Sequence, residues 1–513
     1  MIAAMALSKV LGMLRSVLLA SHYGTGIEAN AFTAATQIPL TCFDLLLSAA
    51  ILGCFIPVYN SYFRHGGGGE AKADRFACVF LNFVITVTSG LTILGILFAD
   101  PLLSLISPDL TQAEHSLGVV LLRIMFPMIL FTGAAYTLVG VLQSKNEFIV
   151  PSLISCISNL GVILYFVLLD RSLGENGIYG VAAAYSVSWV LQLVTLIVPL
   201  HKKGFRYHAD FHFGSPQMKK VLIMCLPIMI GSWQAPLGVL LGTYFAPRLA
   251  VDGALTIFGY TNNLYVIITG ILTYGICNYI FPRLSRQNAL GDEANFCKTC
   301  QSGILAALAI VLPIMAGVLI LSGEGVSIIY RRGEFNAQAA RETAYALRLM
   351  SIGMPCYCMI ELCNRMMYSK TKTKVPMIAA LVGTFSNLLC CLVFIRFPQL
   401  RVGSLTLASA LGQLVACIIL IAALYKSSAG IFEKSFPVSF LKLLAAAACS
   451  FFVMWLCHRF FGKDPYSDGF LRNVLCCCAV FFPGLLAYGG MLKLLRFHLK
   501  ISKKEEKISR ENN

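Results

Sequence analysis

Charge is scarce in this chain. Only 12% of its 513 residues are Asp, Glu, Lys or Arg, about half the share usual for a soluble globular domain. The acidic sign is the scarcer, with 24 Asp and Glu against 40 Lys and Arg. No polar stretch longer than about twenty residues separates the apolar runs, so a water-soluble catalytic domain of ordinary size has nowhere to lie. The sequence also lacks HExxH, GxSxG, Walker A and any carboxylate cluster, the residue patterns that metal-assisted hydrolysis, acyl transfer and nucleotide hydrolysis require. His458 and Asp464 approach one another only at a helix end and its loop. Without a Walker A, transport by this chain has to draw on a gradient, a membrane potential or a partner.

What is abundant is apolar. Hydrophobic residues make up 58% of the chain and the mean hydropathy is +0.76, which a soluble fold of this size cannot bury. The expected class is an all-α polytopic membrane protein. Hydropathy resolves fourteen spans, near 2–23, 30–62, 74–99, 113–144, 149–169, 177–200, 217–246, 254–282, 299–321, 337–369, 375–396, 402–425, 437–461 and 469–495, each close to the ~20 residues that cross a bilayer. Three of them, 30–62, 113–144 and 337–369, exceed that length and contain Pro39, Pro127 and Pro355. A proline removes a backbone donor, so kinks are expected there. The N-terminal run contains Lys9 and Arg15 and no small-residue cleavage site, which reads as a retained first span rather than a signal peptide. It opens with almost no polar lead, so an upstream start is left open.

Basic residues set the orientation. About 24 of the 40 Lys and Arg fall in the C-terminal tail and the alternate loops that begin with 63–73, and about 8 in the opposite loops. That bias puts the first set, and both termini, in the cytoplasm. The loop Lys202, Lys203, Arg206, Lys219 and Lys220 and the tail Lys493–Arg510 supply much of the net +16 and suit an anionic lipid surface. No folded basic domain is there to present them to nucleic acid. The nineteen cysteines are scattered through the spans, where free Cys behaves as a small hydrophobe. Cys297 and Cys300 form a lone CxxC without a second pair, which falls short of a zinc pattern.

The chain repeats itself at an offset of 225 residues. Ser144-Lys145-x4-Val150-Pro151 recurs as Ser369-Lys370-x4-Val375-Pro376, and Phe55-Ile56-Pro57 matches Ile280-Phe281-Pro282. Six spans separate equivalent points, which is the signature of a parallel repeat in two-lobed transporters. The expected organisation is a six-helix lobe over 1–200, a basic linker at 201–220, a second six-helix lobe over 217–425 facing the first across a central cavity, an appended helix pair at 437–495, and a basic tail at 496–513.

Charges within spans are costly and usually face a cavity or a partner. Arg15, with Lys9, lies on span 1, and nothing on that helix neutralises it. Asp44 lies deep in span 2, and pairing of Arg15 with Asp44 is the competing structural reading. Glu361 and Arg365, spaced i,i+4 on span 10, form a candidate structural or gating pair. Arg123, Arg348, Lys442 and Arg472 read as interfacial. Asn30, Asn262 and Asn263 add polar groups that can bind ligand or hydrogen-bond between helices. The excess of cation favours an anionic substrate, and a guanidinium fork suits phosphate or pyrophosphate.

Ser8-Lys9-Val10-Leu11-Gly12-Met13-Leu14-Arg15, then Tyr23-Gly24-Thr25-Gly26 and Ala29-Asn30-Ala31-Phe32, resembles the opening of the MurJ (MviN) lipid II flippases. Leu122-Arg123-Ile124-Met125-Phe126-Pro127, Gly140 to Pro151, Tyr330-Arg331-Arg332-Gly333-Glu334-Phe335 and Thr371-Lys372-Thr373-Lys374-Val375-Pro376 extend the likeness along the chain. The resemblance implies the fold of the multidrug/oligosaccharidyl-lipid/polysaccharide exporters. It also implies alternating-access transport of the undecaprenyl-pyrophosphate-linked peptidoglycan precursor to the outer leaflet, in the bacterial cytoplasmic membrane. The implied partners are lipid II, membrane lipids and candidate cell-wall synthesis proteins. A groove at the last two helices would take the lipid tail, and no cofactor is implied.

The family's basic positions on helix 1 fall on Lys9 and Arg15. Its acidic position after helix 1 falls on Asn30, a basic position on helix 2 near Phe43 beside Asp44, and an Asp-Arg pair on Asn262-Asn263. Those departures leave the substrate-binding set (Arg15, Lys9, Asn30, Asp44, Asn262, Asn263) less cationic than the family pattern. Some relatives hold sodium with carboxylates on helices 7 and 11, but 217–246 and 375–396 contain no Asp or Glu, so no metal site is expected. The alternatives are a flippase for another undecaprenyl-pyrophosphate-linked oligosaccharide, a cation-coupled drug exporter, which would favour acidic groups, and a non-transporting membrane scaffold.

Overall fold

The structure is a computed structural model, and it describes residues 2–48, 51–62, 69–370, 372–433, 435–467 and 469–497. Of the expected features, part of the loop 63–73, Thr371 of the quoted motif and most of the basic tail 496–513 lie outside the described residues. Over the described residues the chain is mostly helical and forms no strand. In order it forms α1 (Ile2–Tyr23), α2 (Ile27–Phe43), two π-helical segments at Asp44–Ser48 and Ile51–Phe55, α3 (Ile56–Ser61), α4 (Gly69–Leu97), α5 (Ala99–Ile106), α6 (Gln112–Met125) and α7 (Met128–Ser144). There follow α8 (Ile149–Leu168), α9 (Asp170–Leu173), α10 (Gly177–Lys202), α11 (Pro216–Ser232), α12 (Gln234–Phe245), α13 (Ala254–Ala289) and α14 (Glu293–Tyr330). The series ends with α15 (Ala337–Ser351), α16 (Met354–Ser369), α17 (Lys374–Phe394), α18 (Gly403–Ser427), α19 (Ser435–Phe461) and α20 (Phe470–Leu494).

Among the described residues, ten helices are long and apolar enough to cross a membrane, or twelve if each of two bent pairs is one span. The expected fourteen are not reached by this standard. The helices α1 and α13 are long enough but are not among the ten. They carry Lys9 and Arg15, and Asn262 and Asn263, respectively.

The prolines mark the breaks. Pro127 sits between α6 and α7, and Pro355 opens α16 after a 49° bend from α15. Pro39 lies within α2, and the helix widens to π geometry at Asp44, a turn later. A second bend, 51° between α11 and α12, falls inside the expected span 217–246. Pro236 supplies its cause, since its ring crowds the carbonyl four residues back, at Ser232, where α11 ends. Caps fix other starts. Thr111 and Glu114 close a capping box on α6, and the Ser215 hydroxyl accepts from the Met218 amide at the start of α11.

Packing divides the chain into two units. The first holds Met1–Tyr260 with Arg332–Ala339, and the second Thr261–Arg331 with Ala340–Asn513. In the first, Phe55 stacks on Phe80 with ring centroids 4.7 Å apart and on Phe76 at 5.7 Å, within a core that runs through α3, α4, α7 and α11. In the second, α17 and α18 approach closely because a Cβ on Gly412 would lie 2.7 Å from the Gly383 carbonyl oxygen. Small residues of this kind drive helix association in lipid, where apolar burial between helices adds little.

The sequence repeat reappears as the same local device in each unit. In the first, Lys145, after α7, donates to Glu70 (2.8 Å) and Asp74 (3.0 Å) on α4 and to the Lys203 carbonyl (3.4 Å) at the end of α10. In the second, Lys370, after α16, donates to Glu293 (2.7 Å) at the start of α14, to the Ser427 carbonyl (3.3 Å) at the end of α18, and to the Ser428 hydroxyl. A buried ammonium thus ties acidic side chains near one helix N-terminus to carbonyls at another helix C-terminus in both, so the carboxylates suit the positive end and the ammonium the negative one.

The expected basic linker is docked rather than free. Asn82 on α4 donates to the Asp210 carbonyl (2.9 Å) and accepts from the Tyr207 hydroxyl (2.7 Å), while Arg75 donates to the Asp210 carboxylate (2.8 Å).

Candidate functional site

Helix α1 is positioned by Asn159 of α8, whose amide donates to the Ser8 carbonyl at 3.2 Å. Arg15 lies farther along the same helix and is half-buried. Its guanidinium carbon stands 4.8 Å from the centre of the Tyr185 ring of α10, and Tyr185 is itself buried. Arg15 Nε is buried and makes no hydrogen bond among the described residues. A cation over an aromatic face gains about 0.5–2 kcal/mol, while an unsatisfied buried donor costs about 1–3 kcal/mol, more on a charged group. The ring therefore holds the guanidinium without a hydrogen bond to its N–H groups from the described residues. Lys9, two turns earlier, is exposed.

Asp44 is exposed where α2 passes into the π-helical segment, and among the described residues no ion pair joins it to Arg15. Trp233 donates from its indole to the adjacent Leu45 carbonyl at 2.8 Å. This fixes the widened turn, a local geometry frequent at functional positions.

Asn30 is placed differently. It is buried, its amide nitrogen donates to Glu114 (2.7 Å), and its oxygen accepts from the Thr256 amide (3.1 Å) and hydroxyl (2.7 Å). With both ends of its amide engaged, Asn30 joins α2, α6 and the first turn of α13. Close by, the Glu334 amide donates to the Ser21 carbonyl at 3.0 Å and Tyr260 packs edge-on against Phe335, so the segment after α14 rests on the end of α1.

In the second unit, Asn262 is half-buried and Asn263 exposed on α13. Among the described residues neither side chain makes a hydrogen bond. Glu361 and Arg365 lie one turn apart on α16, but no ion pair joins them among the described residues. The Arg365 guanidinium sits 5.7 Å from the Phe281 ring of α13. Cys297 and Cys300 are buried free thiols, and Asp464 pairs with Arg341 (3.7 Å).

Two participants escape a reading of the sequence. Tyr185 and Glu114 meet their partners across long stretches of chain; only Glu114 had a local signal, the Thr111-x-x-Glu114 capping box.

The architecture is shared with solved transporters. A lipid II flippase MurJ structure in an inward-closed conformation superposes with a TM-score of 0.78 at 20% identity, over 96% of this chain and 98% of that one. An inward-facing multidrug resistance MATE-family transporter of the MOP superfamily superposes at 0.68 with 14% identity, over 83% and 96%. Fold and spans define the class, a polytopic helical membrane protein. The sequence narrows the class: the lipid II flippase MurJ family model matches residues 19–472, and the chain belongs to that family. A probable lipid II flippase MurJ of Bdellovibrio bacteriovorus is 26% identical over 448 residues, covering 86% of this chain and 84% of that protein. The protein is thus a multi-pass protein of the bacterial inner membrane. Lys9 and Arg15 precede the matched segment, so their assignment rests on the chemistry of α1 and on the opening motif.

Proposed function

We propose that this chain translocates lipid II from the inner to the outer leaflet of the cytoplasmic membrane by alternating access, supplying peptidoglycan synthesis. The reading is supported by membership of the MurJ family and carried by one observation, the buried Arg15 Nε without a partner among the described residues. On this reading Arg15 takes the pyrophosphate and Lys9 adds long-range attraction. Asp44, Asn262 and Asn263 contact the polar headgroup, while Asn30 contributes by positioning α2. Glu361 and Arg365 act in gating. The two sequence repeats, 1–200 and 217–425, act as the moving lobes, joined by the basic linker 201–220. Helices over 437–495 receive the lipid tail, and the basic tail 496–513, like both termini, faces the cytoplasm. The partners are membrane lipids and cell-wall synthesis proteins; nucleic acid is not one.

A second reading keeps the mechanism and changes the cargo to another undecaprenyl-pyrophosphate-linked oligosaccharide. It is favoured by the neutral Asn262-Asn263 and by Phe43 where the family pattern carries charge. Depletion of the protein in its host, followed by identification of the lipid-linked precursor that accumulates on the cytoplasmic side, separates the two. Accumulated lipid II supports the first; a different pyrophosphate-linked sugar supports the second.

A further inference from the structure

The far end of α14 carries a group of side chains with no part in lipid translocation as derived above. Glu324 is 2% exposed. Its Oε1 lies 2.7 Å from His458 Nε2 of α19 and 3.8 Å from Cys476 Sγ of α20, and the three atoms lie within 4.8 Å of one another. Among the described residues no Lys or Arg forms an ion pair with this carboxylate. Its neighbours are apolar, with Ala316, Ile320, Leu321, Met454 and Val480 packed around the Cys476 end. The helix departs from α geometry at Leu321 (φ −99°, ψ 15°), three residues before Glu324. At position 462 a Cβ would come within 2.8 Å of His458 Nε2, so Gly462 keeps the space beside that nitrogen open.

From this arrangement we propose that Glu324, His458 and Cys476 form a site for a zinc-class divalent cation, joining α19 and α20 to α14. One carboxylate, one imidazole and one thiol are borderline-to-soft donors. Magnesium and calcium select all-oxygen shells instead. Around a tetrahedral zinc at about 2.0–2.3 Å from each donor, ligand atoms stand about 3.3–3.7 Å apart. The oxygen and nitrogen must open slightly and the sulfur close slightly, both within reach of side-chain rotation. In the metal-free state a proton lies between Glu324 Oε1 and His458 Nε2, and the thiol holds its own. Binding replaces both: the carboxylate, the neutral imidazole and the thiolate each donate a lone pair, two protons leave to water, and no electron is transferred. Two negative ligands then neutralise the divalent ion, so the assembly carries no net charge into its apolar surroundings. The fourth position is left to water or an external ligand, reached from the His458 side, where that side chain is about one-third exposed.

The test uses the full-length protein in detergent, stripped with a chelator, loaded with zinc and freed of excess. Metal content per chain is read by mass spectrometry, and cobalt is substituted to report a thiolate-to-metal absorption band. Wild type should retain one zinc per chain and show the band. Cys476→Ser should lose the band, and both Cys476→Ser and His458→Ala should weaken retention at least about tenfold to a hundredfold. Cys297→Ser/Cys300→Ser should keep both signals. Glu324→Gln should also lose zinc, but the isosteric Cys476→Ser decides the matter if that variant fails to fold. Wild type that retains no zinc, or a band that survives Cys476→Ser, overturns the proposal. None of these readouts depends on flipping, so they stand or fall apart from the transport reading.

Discussion

Arg15 rests its guanidinium 4.8 Å above the Tyr185 ring while its buried Nε has no hydrogen-bond partner among the described residues. The aromatic face holds the cation in place and leaves its donors unspent. Removing the ring should therefore weaken substrate capture without removing charge. Tyr185→Leu is expected to lower transport about twofold to thirtyfold, the equivalent of about 0.5–2 kcal/mol. Tyr185→Phe, which keeps the face, should be close to wild type. Initial rates at limiting substrate check this; equal loss in both variants would assign the effect to the hydroxyl instead.

The Arg15–Asp44 relationship gives a second forecast. No ion pair joins these residues among those described, and Asp44 is exposed. Arg15→Ala should lower transport about tenfold to a hundredfold, and adding Asp44→Asn should not restore it. Recovery in the double variant at matched expression would make Arg15 a structural counter-ion.

The Lys and Arg asymmetry makes an orientation forecast. Impermeant labels applied to intact cells should reach cysteines introduced in 100–111 and 463–468 but not in 202–219. Labelling at Lys202→Cys or Lys203→Cys would reverse the topology and the direction of transport.

The docked linker should release in acid. Hydrogen bonds from Arg75 and from His212 hold the Asp210 carboxyl well below the ordinary carboxylate range. A depressed folded pKa gives stabilisation that is fully present above the unfolded value, about 3.9, and is lost as pH falls through the folded value. Hydrogen exchange across 205–213 should therefore be unchanged from pH 7 down to about 5 and rise below about 4 once intrinsic rates are divided out. Asp210→Asn should show raised exchange at every pH.

Much of the fold is legible because hydropathy reads helix length and proline reads interruption. Ten to twelve of the spans and the breaks at Pro127 and Pro355 follow from local sequence, and the paired lysines from the 225-residue repeat. The bend at Ser232–Gln234 was available in Pro236 but is masked by an otherwise continuous apolar run. The site is less legible. Tyr185 reaches Arg15, and His458 reaches Glu324, from helices distant in the chain, and no periodicity encodes which side chains meet across a bundle. Asn30 reads as a polar group on a span, yet its burial against Glu114 and Thr256 spends its hydrogen-bonding capacity on packing. The i,i+4 spacing of Glu361 and Arg365 permits a pair, but the Phe281 ring lies against the guanidinium.

The central claim, that this chain moves lipid II through an anion contact at Arg15, is tested most directly in proteoliposomes carrying labelled lipid II. Outward translocation is compared for wild type, Arg15→Lys and Arg15→Ala at matched incorporation. The account predicts transport by wild type, partial transport by Arg15→Lys, which keeps charge but not the fork, and a loss of about tenfold to a hundredfold in Arg15→Ala, the worth of one charge-assisted hydrogen bond. Wild-type protein that leaves lipid II in place, or Arg15→Ala that moves it at the wild-type rate, would contradict the account.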